Sequence, residues 1–358
     1  MGCCCSKKKV YNEHECNDEE EEEICEEMEN YAYIPQYFSF QQFFSEETPP
    51  QLYEYLFKKE IGKGAMSRVY LAENVETQEL YAAKVYNKRQ LEKQTFGNDE
   101  TLGEQVEREI RLMAKMKHRY ILIIIEAIDF ADANAKILLT PFAQNGTLQT
   151  QLNANTMDID MIAICFHQVA VGLKYIHNHN IVHRDIKPDN ILCFSENYFV
   201  ISDFSASTEL TSSDQTLEDT KGSPAFLSPE ECSGNAFHPK PCDVWSYGIA
   251  LYSAAFKKLP FNLESGQGKT VATTVLIVTE LIEKETLQFP EDQEVNPKLR
   301  KLLTDVLQKD PTKRPTFEEI VKYDFFEKAW PIDEENAREA KMLEEEEEEA
   351  NEENVDQN

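Results

Sequence analysis

The chain lacks three features that would each point to a distinct class of protein. Its 358 residues carry 36 Lys and Arg against 66 Asp and Glu, so it has no basic surface for nucleic acid. It has no apolar run typical of a secretory signal at its start, and its most apolar runs are too short or too interrupted to span a bilayer. It shows no internal repeat.

Cysteines are few outside the first residues of the chain. Of the nine cysteines, five lie within the first 25 residues, and the other four show no CxxC pairing. This distribution indicates neither a disulfide framework nor a zinc site. A reducing, intracellular setting fits it best.

The net charge of −30 is concentrated at the two ends. Residues 1–50 carry 13 acidic and 3 basic side chains, and residues 331–358 carry 13 acidic and 2 basic ones. We therefore expect an acidic segment over residues 1–54, with an aromatic stretch at Tyr31–Phe44, and a disordered acidic tail over residues 331–358. With 41% hydrophobic residues overall, the chain can bury a sizeable core.

The middle changes from strand patterns to helical patterns along its length. The first part, about 55–142, predicts several strands and one helix over Gln105–Lys117, with further strands over Tyr120–Ile128 and Lys136–Thr140. The second part, about 144–328, predicts a long amphipathic helix before residue 180 and a buried helix over Asp243–Phe256. The predicted fold class is α+β.

The segment HRDIKPDN, His183–Asn190, is a polar loop between two short apolar runs. It supplies an acceptor in Asp185, a cation in Lys187 and an oxygen ligand for a metal in Asn190. Phosphoryl transfer needs these groups, because the protein mainly positions reactants and neutralises charge in that reaction.

Two further segments supply groups for phosphate and metal. The turn GKGAMSRV contains Gly62 and Gly64, whose backbone can approach phosphate oxygens closely, although a plain hairpin turn has the same pattern. Lys84 follows on a strand, and Glu109 in the helix is its expected partner, with Glu104 and Glu107 as rival carboxylates. The segment ISDF ends in Asp203–Phe204, where Asp203 can hold Mg²⁺.

Together these segments resemble the eukaryotic protein kinases over about residues 55–328. The resemblance implies a two-lobed fold with ATP and Mg²⁺ as cofactors, Asp185, Lys187, Lys84 and Glu109 in catalysis, and Asn190 and Asp203 as metal ligands. Protein substrates are implied as partners. The implied nucleotide-binding residues are Ile61, Gly62, Gly64, Val69, Ala82, Lys84, Thr140 and Phe142.

The segment GSPAFLSPE, Gly222–Glu230, matches the part of the kinases that receives the substrate hydroxyl. Ser223 together with Lys187 implies specificity for serine and threonine. Glu230 is expected to pair with Arg314, and Asp243 is expected to fix the backbone of the catalytic loop. Arg184 implies a pocket that requires an anion, and phosphorylated Thr220, or alternatively Thr216 or Ser213, is expected to supply it.

Within the kinases, the segments 60–97, 224–226 and 287–303 resemble those of the calcium/calmodulin-dependent kinase kinases. This resemblance implies that the substrates are activation-loop threonines of other kinases. Two departures matter. Ser205 stands where the family has glycine, and the acidic run Glu344–Glu349 stands where those enzymes have a basic calmodulin-binding helix, which argues against control by calmodulin. A membrane-tethered pseudokinase scaffold is the alternative function.

The N-terminal sequence MGCCCS fits the N-myristoylation pattern at Gly2, once Met1 is removed. One acyl chain binds membranes only marginally, so a second signal is needed, and Cys3, Cys4 and Cys5 are candidates for palmitoylation. Lysines 7–9 can contact anionic lipid. We expect anchoring to the cytoplasmic face of a membrane. The alternative is a metal-binding tract that includes His14 and Cys16.

Replacing Gly2 tests this expectation. Gly2→Ala removes the acceptor of the acyl chain, so the variant should move from the membrane fraction to the soluble fraction of a cell lysate. Continued membrane association of the variant would refute acylation as the anchor.

Overall fold

The computed structural model describes residues 51–64, 67–87, 91–93, 101–130, 135–261, 275, 280, 282, 284–292 and 294–355. They form two compact units, one within residues 51–117 and 122–142 and one within residues 118–121 and 143–355. The first unit is built on a β-sheet and the second mainly on helices, which confirms the predicted α+β class. The predicted acylation sites Gly2, Cys3, Cys4 and Cys5 and the stretch Tyr31–Phe44 lie outside the described residues.

A six-stranded antiparallel sheet forms the first unit. Its strands are β1 (Gln51–Leu52), β2 (Tyr55–Lys63), β3 (Ser67–Asn74), β4 (Leu80–Asn87), β5 (Glu126–Phe130) and β6 (Ala135–Pro141). Their order in the sheet is β1-β2-β3-β4-β6-β5. One face carries a buried core that includes Phe57, Ala83 and Val85. Because side chains alternate along a strand, Lys84 points to the other face.

Helix α1 (Leu102–Lys115) packs on that second face, where its Ile110 lies in one buried cluster with Leu138. Thr101 caps the helix: its side chain accepts a hydrogen bond from the backbone of Glu104, and the Glu104 carboxylate accepts one from the backbone of Thr101. This capping box starts the helix three residues earlier than the apolar spacing predicts.

The predicted strand over Tyr120–Ile128 is wrong in its first part, because β5 begins only at Glu126. Tyr120 and Ile121 are buried within the second unit, where Ile121 forms a parallel bridge to Ile201. A short apolar run indicates burial, but without an alternating period it does not identify a strand.

Two buried helices occupy the middle of the second unit. These are α3 (Ile159–Asn178) and α4 (Pro239–Phe256), and the hydroxyl of Tyr247 in α4 donates a hydrogen bond to the carbonyl of Phe166 in α3. The other described helices are α2 (Leu148–Ala154), α5 (Pro297–Val306), α6 (Phe317–Ile320) and α7 (Trp330–Val355). By length and composition α3 is apolar enough to cross a membrane, but 67% of its most apolar window is buried inside the protein.

Two short antiparallel pairs complete the second unit. Strand β7 (Ile181–Val182) pairs with β10 (Thr208–Glu209), and β8 (Ile191–Ser195) pairs with β9 (Tyr198–Ile201). The loop His183–Asn190 therefore begins at the end of β7 and ends at the start of β8. Both of its ends are held by strand pairing.

The described part of the segment 331–358, for which the sequence analysis predicts a disordered tail, is helical, since α7 continues to Val355. The Asp333 carboxylate near its start accepts hydrogen bonds from Arg119 Nη2 and Tyr120 Oη, each at 2.7 Å. Asn336 Nδ2 donates to Tyr120 Oη at 3.1 Å. These contacts hold the first turns, and the Glu, Ala, Lys and Met residues that follow have high helix propensity.

Replacing Asp333 should detach the start of this helix. Asp333→Ala removes a charge-assisted hydrogen bond and leaves Arg119 without this carboxylate, so we expect the free energy of unfolding to fall by about 1–3 kcal/mol. Amide hydrogen exchange over residues 330–342 should rise in parallel. Glu335→Ala removes an exposed acid two residues later and is the matched control. Equal behaviour of both variants would refute the anchoring role of Asp333.

Candidate active site

Four of the predicted nucleotide-binding residues lie on one face of the sheet. Lys84 on β4 pairs with Val69 on β3 and with Leu138 on β6, and Ala82 pairs with Thr140. Directly paired residues, and residues two apart along a strand, point to the same face. The side chains of Val69, Ala82, Lys84 and Thr140 therefore share the face opposite the buried core.

The glycine turn joins β2 to β3. The Gly64 N–H donates a hydrogen bond to the Ser67 carbonyl at 2.9 Å, and a Cβ added at Gly64 would lie 3.0 Å from Ser67 Oγ. A side chain at Gly64 would be crowded, so the turn requires a small residue there. Ile61 before the turn is 38% exposed, and Phe142 directly follows β6.

Lys84 and Glu109 form an ion pair within the first unit. Lys84 Nζ lies 3.0 Å from Glu109 Oε1 and 3.5 Å from Glu109 Oε2, and Tyr86 Oη donates to Oε2 at 3.4 Å. Glu109 is only 3% exposed, and a buried carboxylate needs such partners. The rivals are engaged elsewhere, since Glu104 caps α1 and Glu107 pairs with a lysine on β6.

The buried carboxylate of Asp243 holds the backbone of the loop His183–Asn190. It accepts hydrogen bonds from the N–H groups of His183 at 2.9 Å and Arg184 at 2.8 Å, and its Oδ2 lies 2.8 Å from Nε2 of His177. Burial raises the pKa of this carboxyl, but the hydrogen bond and charge of His177 outweigh burial, so the pKa lies below its ordinary value. Asp243 thus occupies the position that the sequence predicts for it.

Two residues of the site have a left-handed backbone. The φ angle is 68° at Arg184 and 63° at Asp203. Non-glycine residues pay about 1–3 kcal/mol for such conformations, so the surrounding contacts must hold them. Ser205, in contrast, lies in the 3₁₀ turn Phe204–Ala206, a conformation that serine adopts without strain. The replacement of glycine by serine therefore introduces no strain in this form of the loop.

The carboxylate of Asp185 is fixed by three hydrogen-bond donors. Its Oδ2 accepts from Lys187 Nζ at 2.7 Å and from Asn190 Nδ2 at 3.0 Å, and its Oδ1 accepts from the Ser223 N–H at 2.8 Å. Lys187 Nζ also donates to Ser223 Oγ at 2.7 Å. An ionised carboxylate has about four acceptor positions, so one remains for an incoming hydroxyl. The structure brings these four predicted residues together.

Asn190 and Asp203 lie at the same end of the β8–β9 hairpin, since the Ser202 N–H donates to the Asn190 carbonyl at 2.9 Å. The Asn190 amide nitrogen donates to both the carbonyl and the carboxylate of Asp185, which leaves its Oδ1 for a cation. Oxygen donors fit Mg²⁺, which usually takes one or two carboxylates and substrate phosphates. The described residues contain no cluster of three or more His, Cys, Asp or Glu, so a metal cage made only of such side chains is absent from them.

Glu230 and Arg314 form the predicted ion pair, with both guanidinium nitrogens on the carboxylate at 2.5 Å and 2.9 Å. The Arg314 side chain is fully buried and lies over the ring of Trp245. Such a bidentate pair fixes geometry in addition to balancing charge. It connects the segment after Ser223 to the helical part of its own unit.

The anion beside Arg184 is Asp219. Arg184 Nη1 donates to Asp219 Oδ2 at 3.2 Å, and Arg184 Nη2 donates to the Asp219 carbonyl at 2.5 Å. Burial raises the pKa of the Asp219 carboxyl, but the charges of Arg184 and then Lys221 outweigh it and lower the pKa. The unphosphorylated hydroxyl of Thr220 contacts a different group, because Thr220 Oγ1 donates to the Glu231 carbonyl at 2.8 Å. Phosphorylated Thr220 as the anion stays a prediction.

Asp219 and His177 are the site residues that the sequence analysis missed. Asp219 stands 35 positions after Arg184, and His177 stands 66 positions before Asp243, so neither pair has a local pattern. The requirement of Arg184 for an anion was the available signal, and Asp219, the acidic neighbour of Thr220, is the residue that contacts it.

Glu231 is a buried acid next to Glu230. It is 3% exposed, and its Oε2 accepts hydrogen bonds from the N–H and the hydroxyl of Ser228 at 3.0 Å and 2.8 Å. Burial raises the pKa of Glu231 to about 7, against the opposing effect of these hydrogen bonds. The carboxyl therefore changes its charge near neutral pH, in the residue directly after the ion-paired Glu230.

Comparison with known proteins identifies a family for most of the chain. The protein kinase domain family matches residues 55–326. That range contains all the groups described above, from the glycine turn to the Glu230–Arg314 pair, and omits α7.

Individual relatives agree with this match at about 30% identity. A probable serine/threonine-protein kinase of Dictyostelium discoideum is 30% identical over 286 residues, which are 78% of this chain and 39% of the relative. The calcium/calmodulin-dependent protein kinase kinase of Caenorhabditis elegans is 30% identical over 290 residues, 75% of this chain and 52% of the relative. The serine/threonine-protein kinase ppk34 of Schizosaccharomyces pombe is 30% identical over 312 residues, 78% of this chain and 85% of the relative. The chain thus spans about half or less of the first two.

Glu231 should make stability depend on pH. Its pKa in the folded protein, about 7, lies above the ordinary value of 4.5, so the folded state binds this proton more tightly than the unfolded chain. The stability it contributes is present below pH 4.5 and is lost as the pH rises through 7. Between about pH 5 and about pH 8, the free energy of unfolding should fall for the wild type relative to Glu231→Gln.

Urea denaturation at several pH values measures this difference. Glu218→Gln, which neutralises an exposed acid of the preceding segment, is the control and should keep the wild-type pH dependence. A Glu231→Gln profile parallel to that of the wild type would show that the buried carboxyl does not titrate in this range.

Proposed function

This chain belongs to the protein kinase domain family, and on that premise we propose that it is a serine/threonine protein kinase that transfers the γ-phosphoryl group of ATP to protein hydroxyls. The arrangement around Asp185 is the observation that carries the proposal. Its carboxylate is held by Lys187, Asn190 and Ser223, with one acceptor position left open. A group held in this way can orient a hydroxyl for attack on a phosphorus atom.

In this reaction Asp185 accepts the hydrogen bond of the substrate hydroxyl and takes its proton as the oxygen attacks. Lys187 lies 2.7 Å from the same carboxylate, so its ammonium can balance the negative charge on the phosphoryl group in transfer. Ser223 contacts both residues and fixes their mutual distance. The contact between Lys187 and Ser223 supports serine or threonine as the acceptor, as the family resemblance implies.

Asn190 and Asp203 would hold Mg²⁺ through side-chain oxygens. When bound, the ion would supply positive charge that neutralises part of the charge of the phosphate groups. The left-handed backbone at Asp203 supports this role, because strained conformations persist where function requires a fixed direction of a side chain. For the nucleotide phosphates, Lys84 supplies the cation and Glu109 orients it.

For the substrates we propose activation-loop threonines of other kinases. The similarity to a relative named calcium/calmodulin-dependent protein kinase kinase supports this choice, together with the sequence segments that resemble that group. Control by calmodulin is not part of the proposal, because the residues after the kinase domain are acidic. Acylation at Gly2 and at Cys3, Cys4 or Cys5 would tether the enzyme to the cytoplasmic face of a membrane.

Removal of the metal ligand tests the proposed activity. Asp203→Ala should lower the rate of phosphate transfer from Mg-ATP to serine- and threonine-containing peptides by roughly 100-fold or more, because the charge of the phosphates is no longer neutralised. Glu196→Ala, in the exposed β8–β9 turn, is the control and should retain the wild-type rate. Equal, negligible incorporation by wild type and Asp203→Ala would instead favour a pseudokinase scaffold.

A further inference from the structure

Arg184 presents a buried cation next to Asp185. Its side chain is 1% exposed, and an ionised group so far from water needs a charged or strongly polar partner. Besides Asp219, it contacts the hydroxyl of Thr208 at 3.2 Å. Thr208 is neutral, so Asp219 supplies the negative charge in the contacts of the guanidinium.

The contact with Asp219 uses two parts of that residue. Both terminal nitrogens of the guanidinium engage it, with the carboxylate at 3.2 Å and the backbone carbonyl at 2.5 Å. Lys221 Nζ lies 3.4 Å from Oδ2 of the same carboxylate. One carboxylate thus accepts from two cations, which is the arrangement by which arginine and lysine clusters bind a phosphoryl group.

Three residues, Thr220, Lys221 and Gly222, connect Asp219 to Ser223, which contacts the carboxylate of Asp185. Gly222 has a φ of 102°, and a Cβ on it would lie 2.2 Å from the Arg184 carbonyl, so the chain passes directly over the loop backbone. The next residue is Ser223, whose N–H and hydroxyl contact Asp185 and Lys187. The position of Asp219 therefore helps to set the position of Ser223 and, through it, that of the Asp185 carboxylate.

We propose that Asp219 is a positioning residue that takes the place of a phosphoryl group at Arg184, so that the segment Asp219–Ser223 is held in its catalytic arrangement without phosphorylation. This inference rests on the proposed kinase function and deepens it by naming how the site is kept assembled. Asp219 touches neither substrate nor nucleotide in this role. It acts through Arg184 and Ser223.

The hydroxyl of Thr220 supports this assignment. It donates to the Glu231 carbonyl at 2.8 Å, on a different group from Arg184. Phosphorylation of Thr220 would remove the hydroxyl hydrogen that makes this hydrogen bond. It would also place negative charge close to the carbonyl oxygen of Glu231. Phosphorylation of Thr220 would therefore disturb this arrangement instead of creating it.

The first test measures activity with and without phosphate on the segment. Wild-type protein is treated with a protein phosphatase until mass spectrometry finds no phosphate on Ser213, Thr216 or Thr220. It should retain its rate of peptide phosphorylation with Mg-ATP. Loss of activity on this treatment, with recovery on rephosphorylation, would overturn the proposal.

The second test replaces the carboxylate. Asp219→Asn should lower kcat by about 10-fold to 100-fold with little change in the KM for ATP. The reason is that the substitution displaces Ser223 and the Asp185 carboxylate but does not alter a contact with the nucleotide. Asp219→Glu should restore part of the rate, and Glu218→Gln, which removes the neighbouring exposed charge, should keep the wild-type rate. In an Arg184→Gln background, Asp219→Asn should have no further effect. Independent, multiplicative losses would refute action through Arg184.

A measurement that does not depend on activity completes the design. The Ser223 N–H is hydrogen-bonded to Asp185, so its amide hydrogen exchange reports on the arrangement of the segment. Exchange over residues 219–223 should rise in Asp219→Asn and stay unchanged in Glu218→Gln, with equal thermal midpoints. Unchanged exchange in Asp219→Asn overturns the inference, whereas an inactive wild type with the expected exchange overturns only the proposed activity.

Discussion

The site depends on the buried carboxylate of Asp243. It has no exposed surface, and the N–H groups of His183 and Arg184 both donate to it. A buried ion has to be compensated by donors of fixed direction, so this group determines where the loop backbone runs. The left-handed conformation of Arg184 follows from that constraint, and the direction of Asp185 follows from Arg184. Because Asp243 lies in the first turns of α4, a largely buried helix, the loop backbone is attached to the core.

Two further ion pairs in the same unit fix the position of the backbone more than they stabilise the fold. Arg314 is fully buried on Glu230, and Arg184 is nearly so on Asp219. Buried pairs of this kind are often no more stabilising than apolar residues of the same size, because desolvation cancels much of the attraction. Their value here is that each holds one end of the segment Asp219–Glu230, since Arg184 contacts Asp219 and Arg314 contacts Glu230. The segment is thereby fixed at both of its ends.

Sequence reasoning predicted the pairs whose partners stand in recognisable motifs. Lys84 with Glu109 and Glu230 with Arg314 lie far apart along the chain, yet each residue belongs to a short pattern whose counterpart is known in the kinases. Asp219 belongs to no such pattern, and only the fold brings it to Arg184. The helix α7 was missed for a related reason, since composition shows repulsion between acids but not the contacts of Asp333 that hold the first turns. The predicted strand over Tyr120–Ile128 is wrong in its first part because the apolar side chains of Tyr120 and Ile121 are buried in the second unit and do not take part in the β-sheet of the first.

Ser205 and Asp219 have a common consequence for the control of the site. Ser205 lies in a 3₁₀ turn without strain, and Asp219 already occupies the position of an anion at Arg184. Both features favour one arrangement of the segment that contains Ser205 and Asp219. Phosphorylation of this segment would therefore change the balance between its arrangements by less free energy. Control of such a kinase would then act on its access to substrates instead of on the conformation of its site. Tethering through Gly2 would provide this control, because confinement near a membrane raises the effective concentration of substrates held there without changing the site. Location would then decide which proteins an already assembled site meets.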